Sequence, residues 1–179
     1  GTGIGGGIVT GGHLYRGCGN AAEFGHQVII PDGPKCLCGK WGCLEALCSG
    51  TSIARRARER LAGNPDSLIL RKAGEIEAVR SEHVAEAAFL GDELAEQIWM
   101  ETGEYLGIGV TNAVNILNPR LVVIGGGVIK IAELFFNKLI QTVRERAMTQ
   151  LAADVTITLS QLGDQAGIEG AVQLALDRD

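Results

Sequence analysis

The stretch from Glu23 to Glu45 constrains the fold more than any other part of the chain. Its sequence, EFGHQVIIPDGPKCLCGKWGCLE, contains three of the five cysteines and one of the three histidines. The segment is too rich in glycine and proline to form one regular helix or strand. Something other than a hydrophobic core must therefore hold it together.

The three cysteines and the histidine predict a structural zinc site. Three thiolates and one imidazole complete the tetrahedral coordination of Zn²⁺, and a metal with four protein ligands has no open position for water. The predicted ligands are His26, Cys36, Cys38 and Cys43. A disulfide is the alternative, but a Cys-x-Cys pair is poorly placed to bridge to itself, and a bridge among three cysteines leaves one over.

Length and charge limit the class of protein. A chain of 179 residues with 46% hydrophobic content can bury one sizeable core. Its 16 Lys and Arg against 21 Asp and Glu give a net charge of −5 without a basic stripe, so we expect no nucleic-acid partner. No apolar run reaches the ~20 residues of a membrane helix and no signal-peptide pattern is present, so we expect no membrane partner and a cytoplasmic location.

The order of strand and helix patterns predicts an α/β fold. Before residue 81 the pattern predicts a glycine-rich strand at 1–9, a returning hairpin strand at 13–17, a short strand at 27–30 and a helix from Leu44. Gly50 is expected to stop that helix, and Thr51 or Ser52 to cap the next one.

The second part of the chain is expected to begin with a long helix, capped by Ser81 and ended by Asn118-Pro119. Glycines at 103, 107 and 109 weaken this helix and are expected where another backbone packs closely. Leu121–Ile124 is continuously apolar, which predicts a strand buried on both faces. A helix at 132–148, a strand at 155–159 and a final helix at 164–176 complete the pattern.

Five motifs along the chain are, in order, GTGIGGGIV, E-x-G-H, CxCGxxGCxE, VVIGGG and LGDxAGxxGA. Together they resemble the ROK family (repressor, open reading frame, kinase), whose enzymes include bacterial glucokinases and N-acetylmannosamine kinases. The resemblance runs from Gly1 to Leu176 and corresponds to the second half of a family member. The chain begins inside a glycine motif and not at a Met, which also suggests a fragment.

The resemblance implies that residues 1–179 form the carboxy-terminal lobe of a ribonuclease H-like fold of the actin and hexokinase type. That lobe would have a mixed sheet flanked by helices, with the zinc loop inserted at 26–45. The final helix, 164–177, would pack toward the amino-terminal lobe. A homodimer is the expected assembly.

The resemblance also implies that Glu23, His26 and Glu45 contact a hexose, either glucose or a sugar like N-acetylmannosamine. Carboxylates and imidazoles suit a neutral sugar because they accept hydrogen bonds from its hydroxyls. His26 would then place one ring nitrogen on zinc and the other toward the sugar. The alternative for Glu45 is a first-turn carboxylate that faces the positive end of a helix.

Two glycine motifs match the segments that meet the phosphates of Mg²⁺-bound ATP in the family. They are Gly1, Thr2 and Gly3, and Gly125, Gly126 and Gly127. Taken as bare patterns, the first could equally mark a tight hairpin, and the second a close packing turn between a strand and a helix.

The function that the resemblance implies is ATP-dependent phosphorylation of glucose to glucose 6-phosphate. The family's catalytic Asp and its D-x-G-G-T motif belong to the first half of the protein and have no counterpart in residues 1–179, so this chain alone is expected to be inactive. The alternative is the sugar-sensing lobe of a ROK transcriptional repressor. Intact glycine motifs favour the kinase, because a sensor needs no ATP contacts.

A third interpretation, a zinc-stabilised interaction module without a ligand, leaves Glu23 and Glu45 unexplained. The chain also departs from the family pattern at Ala22, which precedes Glu23 where the family commonly has glycine. This departure adds a methyl group at the rim of the implied pocket. Cys18 and Cys48 lie outside the zinc set and are expected to be small, partly buried residues.

Overall fold

Eight α-helices and four short strands form the part of the chain that the computed structural model describes, residues 3–176 without the side chain of Asp164. The strands are β1 (Val9–Thr10), β2 (His13–Leu14), β3 (Leu121–Ile124) and β4 (Thr156–Leu159). The helices are α1 (Leu44–Cys48), α2 (Gly50–Leu61), α3 (Leu68–Ala73), α4 (Ser81–Phe89), α5 (Glu93–Leu117), α6 (Phe136–Arg146), α7 (Thr149–Asp154) and α8 (Ala166–Leu176). Short 3-10 helices span Phe24–His26, Gly127–Leu134 and Gly163–Gln165. The predicted α/β class is confirmed.

Within residues 3–176 the strands form two separate two-stranded sheets, and not one mixed sheet. β1 and β2 make an antiparallel hairpin, whereas β3 and β4 pair in parallel. The glycine-rich residues before Val9 stay outside both sheets, and the N–H of Ile4 bonds to the carboxylate of Glu45. The predicted strand at 27–30 is also wrong, since Val28 forms only an isolated bridge with Cys43.

β3 is covered on one face only in the described part of the chain. Val122 and Ile124 pack against the core, but Leu121 and Val123 are 53% and 52% exposed. The prediction of a strand buried on both faces is therefore wrong for residues 3–176, because their helices cover one side of the pair.

The predicted long helix is two helices, α4 and α5. Gly91 has a φ of +81°, which ends the helical path, and Asp92 restarts it as the N-cap of α5. One carboxylate oxygen of Asp92 accepts from the N–H of Ala95 at 2.8 Å, and the other from the N–H of Leu68 at 2.6 Å. Ser81 is the first residue of α4 and not its cap, which is Arg80. The helix ends at Asn118-Pro119 as predicted, and Asn118 adopts the left-handed conformation there.

Three further boundaries differ from the prediction. Ser49 caps α2, because its hydroxyl accepts from the N–H of Ser52, so neither Thr51 nor Ser52 is the cap. The predicted helix at 132–148 begins in a 3-10 helix and continues as α6, which extended backbone at Ala147 ends before α7 follows at Thr149. The final α-helix begins at Ala166, after a 3-10 turn that contains Asp164.

The core forms where α5 packs against α6. Ile98, Trp99 and Val114 of α5 are buried in the same cluster as Phe135 and Leu139. No helix among residues 3–176 combines the length and the apolar sequence that spanning a membrane needs.

Two glycines of α5 allow this close packing. A Cβ at Gly107 would lie 2.5 Å from the Cβ of Thr142 and 2.9 Å from the carbonyl oxygen of Leu139. A Cβ at Gly103 would lie 2.5 Å from the carbonyl oxygen of Phe135. The expected close backbone approach is thus confirmed, and α6 is the element that approaches.

We expect Gly107→Ala to lower the free energy of unfolding by about 1–3 kcal/mol, because the added methyl overlaps backbone and a β-branched side chain. Chemical denaturation measures this change. Gly170→Ala is the matched control, since no described atom lies within 4 Å of a Cβ at this helical position. There the better helix propensity of alanine should raise stability by about 0.5–1 kcal/mol. Equal effects of the two changes would contradict the packing argument.

Candidate functional site

His26, Cys36, Cys38 and Cys43 bring their ligand atoms together at one point of the structure. These atoms all lie within 4.8 Å of one another. The Sγ atoms of Cys38 and Cys43 are 3.7 Å apart, and Cys36 Sγ is 3.8 Å from Nδ1 of His26. A tetrahedral zinc with bonds of ~2.3 Å has edges of roughly 3.8 Å. The four residues could therefore hold a metal ion with little movement.

The disulfide alternative does not fit the same distances. All five cysteines lie in the described part of the chain, and all five are free thiols. A separation of 3.7 Å between Cys38 and Cys43 sulfurs is far from the ~2.05 Å of a disulfide bond.

A tight turn presents the first two sulfurs. The N–H of Cys36 donates to the carbonyl of Lys40 at 2.8 Å, and the N–H of Gly39 donates to the carbonyl of Cys36 at 3.0 Å. Lys35 and Trp41 pair across the base of this turn. The turn places Cys36 and Cys38 on one side, where Cys43 joins them as the N-cap of α1.

The thiols of the cluster differ in acidity because they differ in surroundings. Burial raises the pKa of Cys43 to about 12, and hydrogen bonds with Cys38 and Cys36 add to the rise. The pKa of Cys38 is instead lowered, chiefly by a hydrogen bond from the backbone of Lys40. A cation among the sulfurs favours the thiolate of every ligand, so metal binding here would release protons.

The imidazole of His26 faces two ways. Its Nδ1 points to the sulfur of Cys36, while its Nε2 lies 3.9 Å from a carboxylate oxygen of Glu23. The side chain is 36% exposed, so Nε2 remains reachable from outside the cluster. This orientation is the one required if His26 binds metal through one nitrogen and a ligand through the other.

Glu23 precedes His26 in a tight local turn. Its φ of −69° and ψ of 55° are those of an inverse γ-turn, in which the carbonyl of Ala22 accepts from the N–H of Phe24 at 2.7 Å. The N–H of His26 then bonds to the carbonyl of Glu23 at 3.0 Å, which starts the 3-10 helix. Ala22 itself has a φ of +70°, a conformation that glycine adopts far more readily than alanine.

Glu45 links the metal cluster to the glycine-rich start of the chain. One carboxylate oxygen accepts from the N–H of Ile4 at 2.9 Å, and the other is 3.9 Å from Cys36 Sγ. Glu45 does lie in the first turn of α1, but its carboxylate bonds to Ile4. A Cβ at Gly3 would lie 2.7 Å from this carboxylate, so only glycine leaves room for the contact.

The glycine-rich segment also packs against the turn that carries Glu23. A Cβ at Gly25 would overlap the carbonyl of Ile4, and a Cβ at Gly6 would overlap the ring of Phe24. Residues 3–6 therefore lie between Glu23 on one side and Glu45 on the other. Gly1 and Thr2, which were predicted to meet phosphate with Gly3, lie outside the described residues.

Gly125, Gly126 and Gly127 follow β3 at its carboxyl end. Gly126 has a φ of +91°. A Cβ at Gly126 or Gly127 would meet no described atom within 4 Å. Close packing therefore does not explain these two glycines. The turn is open, which is compatible with the ligand contact that the sequence suggested.

A cleft of about 460 Å³ opens between the Glu23 turn and the carboxy-terminal end of α5. Glu23 and His26 line it together with mostly apolar residues, among them Ile8 and Ile116.

Sequence reasoning missed a contact at the edge of this cleft. The side-chain carbonyl of Gln27 accepts from Asn112 at 2.8 Å, and its backbone carbonyl accepts from Leu44 at 2.9 Å. These bonds attach the residue after His26 to both α5 and α1. The available signal was the amide of Asn112 among the mostly apolar residues near the end of the predicted helix.

The two remaining cysteines differ from each other. Cys18 is exposed, whereas Cys48 is buried and its thiol donates to the carbonyl of Thr102. Burial raises the pKa of Cys48 to about 12, so this thiol is unreactive near neutral pH.

The fold of this chain is shared with solved sugar kinases and with a transcriptional regulator. A glucokinase from Streptomyces griseus, in complex with glucose and AMPPNP, superposes with a TM-score of 0.87 and 34% identity, over 97% of this chain and 57% of the glucokinase. The sequence matches the ROK family over residues 1–178, and the chain belongs to this family.

Sequence relatives include both enzymes and regulators. A glucokinase of Thermotoga maritima is 39% identical over 179 residues, which cover 99% of this chain and 56% of the glucokinase. The DNA-binding transcriptional repressor Mlc of Escherichia coli is 30% identical over 169 residues, which cover 94% of this chain and 40% of the repressor. The chain thus spans about half the length of the curated relatives that it matches.

We expect Ala22→Gly to stabilise the chain by ~1 kcal/mol, because relief of the positive φ exceeds the entropy cost of glycine. Thermal or chemical unfolding measures the difference. Ala21→Gly is the matched control, because Ala21 has no positive φ and the change should destabilise. If both variants lose stability, Ala22 is not strained.

Proposed function

We propose that the complete protein containing this chain is an ATP-dependent hexose kinase that converts glucose to glucose 6-phosphate. The observation that carries the proposal is the orientation of His26, with Nδ1 toward the sulfur of Cys36 at 3.8 Å and Nε2 toward Glu23 at 3.9 Å. Such an imidazole can bind metal and sugar at once. Membership of the ROK family and the likeness to glucokinases support the same activity.

The metal that we propose is structural Zn²⁺, bound by His26, Cys36, Cys38 and Cys43. The donor set fits zinc, because three thiolates and one imidazole are soft and borderline ligands and no coordination position is left for water. Zinc would supply a fixed cross-link and no reaction step. His26 would be held in one tautomer, with Nε2 directed away from the metal.

Glu23, His26 and Glu45 are the proposed sugar ligands in this chain. Glu23 and Nε2 of His26 line the same cleft and can accept hydrogen bonds from neighbouring hydroxyls. Glu45 would contribute the oxygen that Ile4 does not use. A sugar so held is oriented by charge-assisted hydrogen bonds, which are stronger than neutral ones.

Mg²⁺-bound ATP would meet Gly1, Thr2 and Gly3 at one end and Gly125, Gly126 and Gly127 at the other. In the proposed reaction O6 of the sugar attacks the γ-phosphorus. The bond to the β-phosphate oxygen breaks and ADP leaves. The hydroxyl proton goes to the family's catalytic Asp, which the resemblance assigns outside residues 1–179, so we expect the isolated chain to be inactive.

We propose that this chain is the carboxy-terminal lobe and that the final helix, 164–177, packs toward the other lobe. In support, α8 exposes four apolar side chains, Ile168, Val172, Leu174 and Leu176. Leu121 and Val123 of β3 are exposed as well. A homodimer and a cytoplasmic location remain predictions.

A ROK transcriptional repressor is the second candidate, because the chain is 30% identical to the repressor Mlc. In that case the same lobe would sense sugar without transferring phosphate. The open turn at Gly125, Gly126 and Gly127 favours the kinase, since a sensor has no use for a phosphate site.

The proposal is tested on the complete protein with MgATP and a panel of hexoses, with ADP release as the measurement. We expect ADP release that depends on hexose and is fastest with glucose. Hexose binding without ADP release, together with binding to an operator DNA, would support the repressor instead.

We expect His26→Ala in the complete protein to lose zinc and sugar affinity together, because one side chain serves both. Glu23→Gln should weaken sugar binding and leave zinc bound, because Glu23 lies on the Nε2 side. Metal analysis and calorimetry with glucose measure the two properties. His13→Ala, an exposed histidine on β2, is the matched control and should change neither. Stoichiometric zinc in His26→Ala would rule out the dual role.

A further inference from the structure

Arg56 is a buried cation in the centre of the helical part of the chain. It is only 6% exposed, and its guanidinium lies 5.5 Å from the centre of the Tyr105 ring. A buried charge is costly unless it is paired and fully hydrogen-bonded. Its contacts therefore show which parts of the fold it joins.

The guanidinium of Arg56 connects α1 to α5. Nη1 donates to the carbonyl of Leu47 in α1 at 2.9 Å and to the hydroxyl of Thr102 in α5 at 3.0 Å. Nη2 donates to the carbonyl of Ile98 at 2.9 Å and to the carboxylate of Glu101 at 2.7 Å. One planar group thus fixes the end of α1 to one turn of α5.

Glu101 completes this arrangement with a second arginine, Arg60. Arg60 donates two hydrogen bonds to the same carboxylate, at 2.8 and 2.7 Å. Burial opposes ionisation of Glu101, but hydrogen bonds from Arg60 and Arg56 outweigh it and hold its pKa below the usual value. Among the described residues the guanidinium of Arg60 bonds to Glu101 and not to α1, which makes Arg60 a suitable control.

α1 depends on such outside contacts because it is only five residues long. Isolated helices shorter than ~12 residues are marginal, so α1 cannot hold its own orientation. Its first turn carries Glu45, its N-cap is the candidate ligand Cys43, and its last turn carries the Leu47 carbonyl that Arg56 binds. The helix is roughly 7.5 Å long, so a tilt at one end moves the other.

We propose that Arg56 is a positioning residue for sugar binding, which holds α1 so that the carboxylate of Glu45 faces the sugar. The inference rests on the proposed sugar contact of Glu45. It assigns a binding role to a residue that lies outside the five motifs and does not line the cleft near Glu23 and His26. Arg56 acts through α1 and touches neither sugar nor metal.

The test is glucose binding by calorimetry on the complete protein, under conditions where circular dichroism shows every variant to be folded. Arg56→Lys keeps the charge, but an ammonium has only three donors and cannot make all four of the bonds to Leu47, Thr102, Ile98 and Glu101 that Nη1 and Nη2 make. We expect the Kd for glucose to rise about tenfold, as for the loss of one hydrogen bond to a charged group. Arg60→Lys, the control, should leave the Kd within about twofold of the wild type because it does not touch α1.

A double-mutant cycle separates positioning from general destabilisation. If Arg56 acts through Glu45, Arg56→Lys should have little further effect on the Kd when Glu45→Gln is already present. If the fold-changes in Kd caused by Arg56→Lys and Glu45→Gln multiply in the double variant, the proposal is wrong. It is also wrong if Arg56→Lys and Arg60→Lys change the Kd equally. Should Arg56→Lys fail to fold, Thr102→Val removes one partner of Arg56 at nearly constant shape, and the same cycle is run with it.

These measurements distinguish a failure of the Arg56 proposal from a failure of the kinase proposal. Coupling between positions 56 and 45 in glucose binding, without any ADP release, would end the kinase assignment and leave the role of Arg56 standing. Normal ADP release without this coupling would overturn the role of Arg56 and leave the kinase assignment standing. A wild-type protein that binds no hexose would overturn both.

Discussion

The convergence of one imidazole and three sulfurs determines how the surrounding turn and helix α1 lie relative to each other. His26 is the last residue of a 3-10 helix and Cys43 is the N-cap of α1, so bringing their side chains within 4.8 Å fixes two elements relative to each other. Glu23 lies three residues before one ligand, and Glu45 lies two residues after the other. The spacing between these carboxylates therefore depends on the cluster, since no regular strand or helix joins them directly.

The cluster alone cannot orient α1, and the rest of the lobe supplies this support. α5 is a straight, 25-residue element that meets α6 through its glycines and meets α1 through Arg56 and Thr102. Gly109 of α5 also approaches Leu44 of α1, where a Cβ would lie 2.8 Å from the leucine side chain. The loop region thus rests on a helix that contributes Ile98, Trp99 and Val114 to the buried core, and order in the loop follows from packing in the core.

The sequence predicted that these four side chains come together, because cysteine and histidine carry their chemistry in the side chain and lie close together along the chain. Helix boundaries were harder to predict where neighbouring residues favour different local structures. Gly91 and Asp92 together stop and restart a helix, yet helix-forming residues lie on both sides of them. Arg56 was not predictable, because its helix shows several arginines that look solvated, and its partner Glu101 is 45 residues away. The sequence shows alanine at position 22, where the family commonly has glycine, but it does not show the positive φ that strains an alanine there.

Under the proposed zinc and sugar binding, the protonation of the Cys36 sulfur decides which hydrogen bonds Glu45 can accept. With a thiol on Cys36, the sulfur can donate to the nearer carboxylate oxygen of Glu45, 3.9 Å away. A thiolate bound to zinc has no proton to give, so under the proposed zinc binding that oxygen needs another donor. The second oxygen is already satisfied by the N–H of Ile4. A sugar hydroxyl can supply the missing hydrogen bond, so the metal would leave Glu45 with one acceptor directed to the substrate and one that holds the glycine-rich segment in place.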